Sequence, residues 1–330
     1  MNVDCMLKRY KTGIHFAYDS SITSNRIDFG STYVCFDIAN QDDSVRCVID
    51  KLDYDFYEIV VCSDVTEEAI SILDLICSCQ TVFDSSKLID LQSIVSNILL
   101  NDNSDSVMAL VKATKLFLPD GTLYYACLMA SKAYGSAAEQ NAVLKYSVMR
   151  DLFDVHPMDL EPDFELPYLT LPSIQARYAT AIIGLYSILE ELKLNIKPAE
   201  LSDKSKASTE EKTGQWIPAC LSDIQNRLEN KNVDPDSKIC WIVRGPHQRP
   251  FKNKTIDTSS LCPWSDGVDV RDFNISVTDA ILETSFIRSK KASHGARGRL
   301  YELSHYDVEN AYALTRYILM QYFECNKNFE

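Results

Sequence analysis

Between Phe286 and Gly295 the chain reads Phe-Ile-Arg-Ser-Lys-Lys-Ala-Ser-His-Gly, which sets a guanidinium, hydroxyls, two ammonium groups and an imidazole close together. Arg288 is permanently charged and can grip an oxyanion with two parallel N–H donors. His294 titrates near neutrality and can give or take a proton. Val277, Ile281, Thr284 and Arg288 follow one another at steps of four, three and four. Arg288 therefore continues the apolar stripe of a helix, where a guanidinium is costly unless it is paired or faces a polar cleft. An unbroken helix would point Arg288 and His294 apart. Gly295 is a natural residue to end the helix and let the chain fold the imidazole back.

The elements that must position these groups are helical. A helix is expected from about Asn274 through Arg288, and a final one from Tyr306 to Tyr322, opened by Ser304 and Asp307 as a capping box. A long helix from about Ser173 to Leu194 carries Ile174, Tyr178, Ala181, Ile182, Leu185, Leu189 and Leu192 on one face. Between them, Ser202–Gly214 reads as a mobile polar loop, a short helix follows Pro218 and ends near Asn230, and Lys238–Val243 reads as a strand. Upstream, Gly13–Asp19, Thr32–Ile38, Arg46–Leu52 and Phe56–Cys62 carry strand signals, and Thr66 opens a helix towards Cys79. Prolines 157, 162, 167 and 172 cannot continue a helix, which places a boundary near residue 165. The expected fold class is α+β: an N-terminal mixed α/β domain, 1–165, and a mainly helical domain, 166–330.

The chain has 330 residues, with 33 Lys+Arg against 47 Asp+Glu, a net charge of −14. That excludes indiscriminate coating of nucleic acid or an anionic membrane. Within 239–299, however, ten Lys/Arg meet six Asp/Glu, a local +4 that leaves −18 elsewhere. Such a basic segment suits one selective anionic cleft, and Trp264, Trp241 and Phe251 are candidate stacking surfaces for a single strand. The 11 scattered cysteines contain no C-x-x-C pair, and no run is apolar for long enough to span a bilayer. The expectation is a soluble cytoplasmic protein without a metal site, a cofactor or a membrane partner.

Arg, a polar residue, a spacer and then His-Gly, after one helix and before a final amphipathic one, resembles the signature of the HEPN superfamily, especially its Apea-like branch. Tyr178–Leu192 is similar to that family's first long helix. The resemblance covers about 170–325; five residues separate Arg288 from His294, where the Apea-like pattern has four. It implies a four-helix bundle that forms a homodimer, brings two Arg/His pairs into one cleft and cuts RNA without metal. His294 would then move the proton of the ribose 2′-hydroxyl or of the leaving oxygen, Arg288 would stabilise the phosphorane, and Ser289 would position a phosphate oxygen. Lys290, Lys291, Arg297, Arg299, Arg244 and His247 would contact the substrate. The family context suggests bacterial antiviral defence or a toxin-like stress response, with the first domain sensing a trigger or a regulatory partner protein.

Other readings stand beside this one. Arg288 and His294 can simply close a helix end, and Arg244 and His247 can be loop structure. The lysines and Arg297 and Arg299 can be a solvated face. Glu190 and Glu191 fit pairing with basic residues across a bundle, and His15 and His305 fit structural positions. A non-catalytic HEPN module that binds RNA, nucleotide or a protein is the main alternative. A metal-dependent nuclease built on Asp266, Asp269 and Asp272 is a third, and the His156, Asp159, Glu161 and Asp163 group reads as connector.

Overall fold

The computed structural model describes residues 7–18, 26–38, 55–83, 116–118, 122–153, 172–202, 205–211, 213–244, 251–256, 270–292 and 303–325. The chain divides into two compact units, Met1–Leu144 and Lys145–Glu330. The expected boundary near 165 and the strand at 46–52 lie outside the described residues.

The first unit is built on β1 (Lys8–Tyr18), β2 (Arg26–Phe29), β3 (Thr32–Ile38), β4 (Asp55–Ser63) and β5 (Leu116–Leu118). They form one sheet in the order β2-β3-β4-β1-β5, antiparallel except for the parallel β1–β5 pair. β2 and β3 are joined by Gly30 and Ser31, and Gly30 has φ +67°, the sign a tight hairpin turn requires. One sheet face offers Ile27, Phe29, Val34, Phe36, Ile59 and Val61, all buried. It is covered by α1 (Thr66–Phe83) and α2 (Thr122–Tyr134), with Phe29 meeting Tyr134 edge-on at 5.6 Å. Glu68, in the first turn of α1, accepts hydrogen bonds from Ser63 and Tyr134. The Tyr134 bond outweighs burial and holds the carboxyl below its ordinary range. α3 (Ala137–Phe153) runs from the first unit into the second.

The second unit continues with α4 (Pro172–Glu191), β6 (Ala199–Ser202), β7 (Ser205–Ala207), α5 (Pro218–Glu229), β8 (Lys238–Arg244), β9 (Val270–Ser276), α6 (Val277–Ile287) and α7 (His305–Tyr322). β6 pairs with β7 and β8 with β9, both antiparallel. The stretch read as a loop over 202–214 thus contains half of a hairpin and a bridge between Thr209 and Trp216. Segment 274–276, read as the start of a helix, is the end of β9. There Phe273 and Ile275 turn inward while Asp272 and Asn274 face out. That two-residue alternation outweighs the helical spacing that begins at Val277.

Two amide side chains lock α7 into place. Asn310 exchanges both hydrogen bonds with the backbone of Ile242 on β8, at 2.7 and 2.8 Å. Gln175 of α4 does the same with Leu303, just before α7, at 2.8 and 3.3 Å. The buried face of α7, including Val308, Ala311, Leu314, Thr315, Ile318 and Leu319, closes the core against α4, α6 and β8. Gly184 lets α3 and α4 approach, since a Cβ there would collide with Met149 Sδ. The chain as a whole is mixed α+β, with helices on several small sheets. Among the described residues no helix is long and apolar enough to cross a membrane.

Candidate functional site

α6 begins at Ser276, whose side chain caps the Asp279 N–H at 3.1 Å. Val277, Ile281 and Thr284 are buried as one stripe, and Arg288 emerges at its end, at the edge of the core. There the helix widens into a π-turn over Arg288–Ala292. Such a turn shifts the following side chains around the axis and is frequent at functional positions. It comes two residues before His294, which itself lies outside the described residues.

The Arg288 guanidinium spreads over the ring of Tyr186, 5.3 Å from its centre, and reaches Glu190 at 3.4 Å. Both partners project from α4. The Tyr186 hydroxyl in turn donates to Ser285 at 3.2 Å, so α4 and α6 are cross-linked around the arginine. The two charged side chains are 37% and 42% exposed, so this pair contributes about 0–1 kcal/mol. The guanidinium is oriented by an aromatic face and a carboxylate while keeping contact with water. Ser289 donates its hydroxyl proton to the Ser285 carbonyl at 2.7 Å. In this rotamer the oxygen can only accept, and a phosphate oxygen would need the side chain to turn.

Lys290 is exposed on the same turn. Arg244 ends β8 opposite Val270, and its side chain lies outside the described set, as do the Lys291 side chain and residues His247, Arg297 and Arg299. Arg288 and Ser289 are therefore placed together with Lys290 nearby in sequence. Trp241 and Phe251, read as stacking surfaces, are each 3% exposed and belong to the core; Phe251 meets Phe273 edge-on at 5.3 Å. Hydrophobic burial wins over exposure for both rings: Trp241 because β8 packs against α6 and α7, and Phe251 because its ring packs on Phe273 of β9. Trp264 lies outside the described residues.

Sequence reading missed a second set of groups on α6. Glu283, buried at 3% exposure, accepts the backbone N–H of Lys252 and that of Asn253. Burial dominates and pushes its carboxyl up to about 8. One turn earlier, Asp279 accepts from Trp216 and from the Asn253 amide, each at 2.9 Å. Two carboxylates four residues apart thus clasp two irregular segments to one helix face. Lys252 is held with its ammonium 5.6 Å from the ring centre of Phe286, beside the turn that bears Arg288 and Lys290. The Glu283/Asp279 spacing is the only trace of this in the sequence, because the partners are donors from distant loops.

Comparison with protein-family models, with curated proteins and with solved structures finds no match to this chain. The site must be read from its own geometry.

His305 stacks edge-on with Tyr178 at 6.5 Å between ring centres and lies 3.5 Å from Glu309. Burial, with Arg150 nearby, holds its imidazole below the ordinary histidine range. Tyr178 precedes Tyr186 by eight residues on α4, about 12 Å of helix, so His305 and Arg288 lean on rings two turns apart. Among the described residues no three or more His, Cys, Asp or Glu are grouped to hold a metal ion. Asp272 faces outward on β9, while Asp266, Asp269 and the group from His156 to Asp163 lie outside the described residues.

Proposed function

We propose that the second unit is a HEPN-like ribonuclease that cuts RNA by attack of the 2′-hydroxyl, with Arg288 and His294 as its working pair. The observation that carries this reading is the placement of Arg288. A guanidinium ends the buried stripe of α6, is held across to α4 by Tyr186 and Glu190, and sits where the helix opens into a π-turn. A purely surface arginine needs none of this, and the geometry leaves a charged edge in water for an incoming phosphate. The surrounding segment is more basic at neutral pH than its formal +4, because Glu283 retains its proton.

In the proposed reaction, the imidazole of one His294 removes the 2′-hydroxyl proton and the oxygen attacks the adjacent phosphorus. Arg288 stabilises the charge that develops on the equatorial oxygens, and the 5′-oxygen leaves with a proton. The products are a 2′,3′-cyclic phosphate and a 5′-hydroxyl. One imidazole cannot be base and acid in the same step, so a homodimer supplying a second is part of the proposal. A four-helix core, RNA as substrate, a defence or stress setting and a sensing role for the first unit belong to it too.

A second reading has its own observation. The Arg288–Glu190 pair gives the arginine a partner within the fold, as expected of a non-catalytic module that binds RNA, nucleotide or protein. Purified protein on mixed single-stranded RNA in EDTA separates the two. The ribonuclease reading expects cyclic-phosphate ends, with cleavage reduced about 10²–10⁴-fold in His294→Ala and about 10²–10³-fold in Arg288→Ala. Cleavage at the wild-type rate by His294→Ala removes the catalytic assignment. Cleavage that requires a divalent cation replaces it with the metal-dependent alternative.

A further inference from the structure

The sheet of the first unit has a second face, turned away from α1 and α2, and it carries a compact set of reactive side chains. Cys35 on β3 and Cys62 on β4 are diagonal neighbours there, since Tyr33 pairs with Cys62 and Cys35 with Val60. Their sulfurs are 3.7 Å apart. Arg9 of β1 stands directly opposite Cys62 and extends its guanidinium across β4 to within 3.7 Å of the Cys35 sulfur. Cys35 is half-buried and Cys62 fully buried. Two packed thiols alone would be ordinary core chemistry. A cation on the more accessible sulfur, with a second thiol behind it, is the arrangement of an attacking and a resolving cysteine.

We propose that Cys35 and Cys62 form a thiol–disulfide exchange site whose co-substrate is a small disulfide of the glutathione class. Arg9 favours the Cys35 thiolate, whose proton goes to solvent. The thiolate attacks one sulfur of the small disulfide, forming a mixed disulfide and releasing one thiolate. Cys62 then attacks the Cys35 sulfur; the Cys35–Cys62 bond forms, the mixed bond breaks, and the departing thiolate takes up the proton Cys62 surrenders. Two protein thiols are oxidised and one small disulfide is reduced to two thiols, so the electrons balance. Closing the bond requires the sulfurs to approach by about 1.7 Å, and because diagonal neighbours on a sheet stand about 7–8 Å apart at Cα, β3 and β4 must also draw together locally, which leaves the bond strained and readily reduced. The new bond would staple β3 to β4 between positions 27 apart in sequence. Disulfides of this kind in reducing compartments are transient and redox-sensing, and this one would give the first unit a chemical input of its own, independent of the Arg288 site.

The full chain is incubated with oxidised glutathione, residual thiols are alkylated, and the peptides are mapped without reduction. The expected result is a Cys35–Cys62 cross-linked peptide and an intact mass lower by two hydrogens. Cys62→Ser should stop at a glutathione adduct on Cys35, and Arg9→Gln should move the pH midpoint of Cys35 alkylation upward. If Cys62→Ser does not fold, the wild-type map decides alone. The proposal is overturned if both cysteines stay alkylatable, if the wild type halts at the adduct, or if either cysteine pairs elsewhere. It is also overturned if Arg9→Gln leaves the midpoint unchanged.

Discussion

Glu283 accepts two backbone N–H groups on one carboxylate oxygen, and those bonds favour its charge, yet burial is the larger effect and pushes the group up to about 8. Stability must then depend on pH in a definite direction. Below pH 4.5 the carboxyl is protonated in both folded and unfolded chains. Between 4.5 and about 8 the unfolded chain releases the proton while the fold retains it, so stability falls as pH rises. Above that window the loss is complete, on the order of a few kcal/mol. Glu283→Gln keeps an oxygen to receive both N–H groups and removes the titration. Denaturant unfolding from pH 5 to pH 9 should show the wild type losing stability relative to this variant, with the variant the more stable at the alkaline end. A constant difference across the range would mean that Glu283 is charged throughout. The glutamate's position on α6 was plain in the sequence, but the donors that surround it come from 252 and 253, and no local spacing announces them. Arg288 was legible for the opposite reason, because its neighbours on the stripe are its own helix.

The start of α7 was readable because both arms of its cap lie within four residues of one another. Ser304 and Asp307 form both arms of the box that opens α7, with Ser304 Oγ accepting the Asp307 N–H at 3.2 Å and Asp307 accepting the Ser304 N–H at 2.8 Å. Ser304→Ala should lower stability by about 1 kcal/mol, and Ser304→Gly by only a few tenths, because glycine is itself tolerated at a helix start. Chemical denaturation of both variants checks this, and equal losses would place the effect elsewhere. β3, at Thr32–Ile38, was legible from its β-branched and aromatic run. β2 was not: it has four residues, and exposed Arg26 and Asp28 alternate with buried Ile27 and Phe29, a pattern too short to outweigh its charges. β6 and β7 are polar and short, and their pairing, not their composition, makes them strands. The helical stripe beginning at Val277 was extended backwards over Asn274, where the strand's alternation in fact rules. In each miss a pairing with distant chain decided the structure.

For the molecule as a whole, the negative charge and the single basic segment were visible from composition, but no spacing could show whether one copy of the chain is sufficient for chemistry. The proposed reaction needs a base at the 2′-hydroxyl and an acid at the leaving oxygen, and each chain has one His294 and one Arg288. If two copies share a cleft, an inactive copy must poison an active one. Wild type mixed with about a tenfold excess of His294→Ala, and given time to exchange partners, would leave nearly every wild-type protomer paired with a variant. Activity per wild-type protomer should then fall to about a tenth, because mixed dimers lose about 10²-fold while about one wild-type protomer in eleven still meets another. Light scattering on the same mixture should report twice the single-chain mass. If the wild-type activity is unchanged by the excess, each chain cuts alone, and the second proton-transfer group must lie within the same protomer. His305 is not that group's first candidate: it leans on Tyr178, about two helical turns of α4 from Tyr186, which Arg288 covers. Unchanged activity would instead direct the search to His247, which lies in the basic segment.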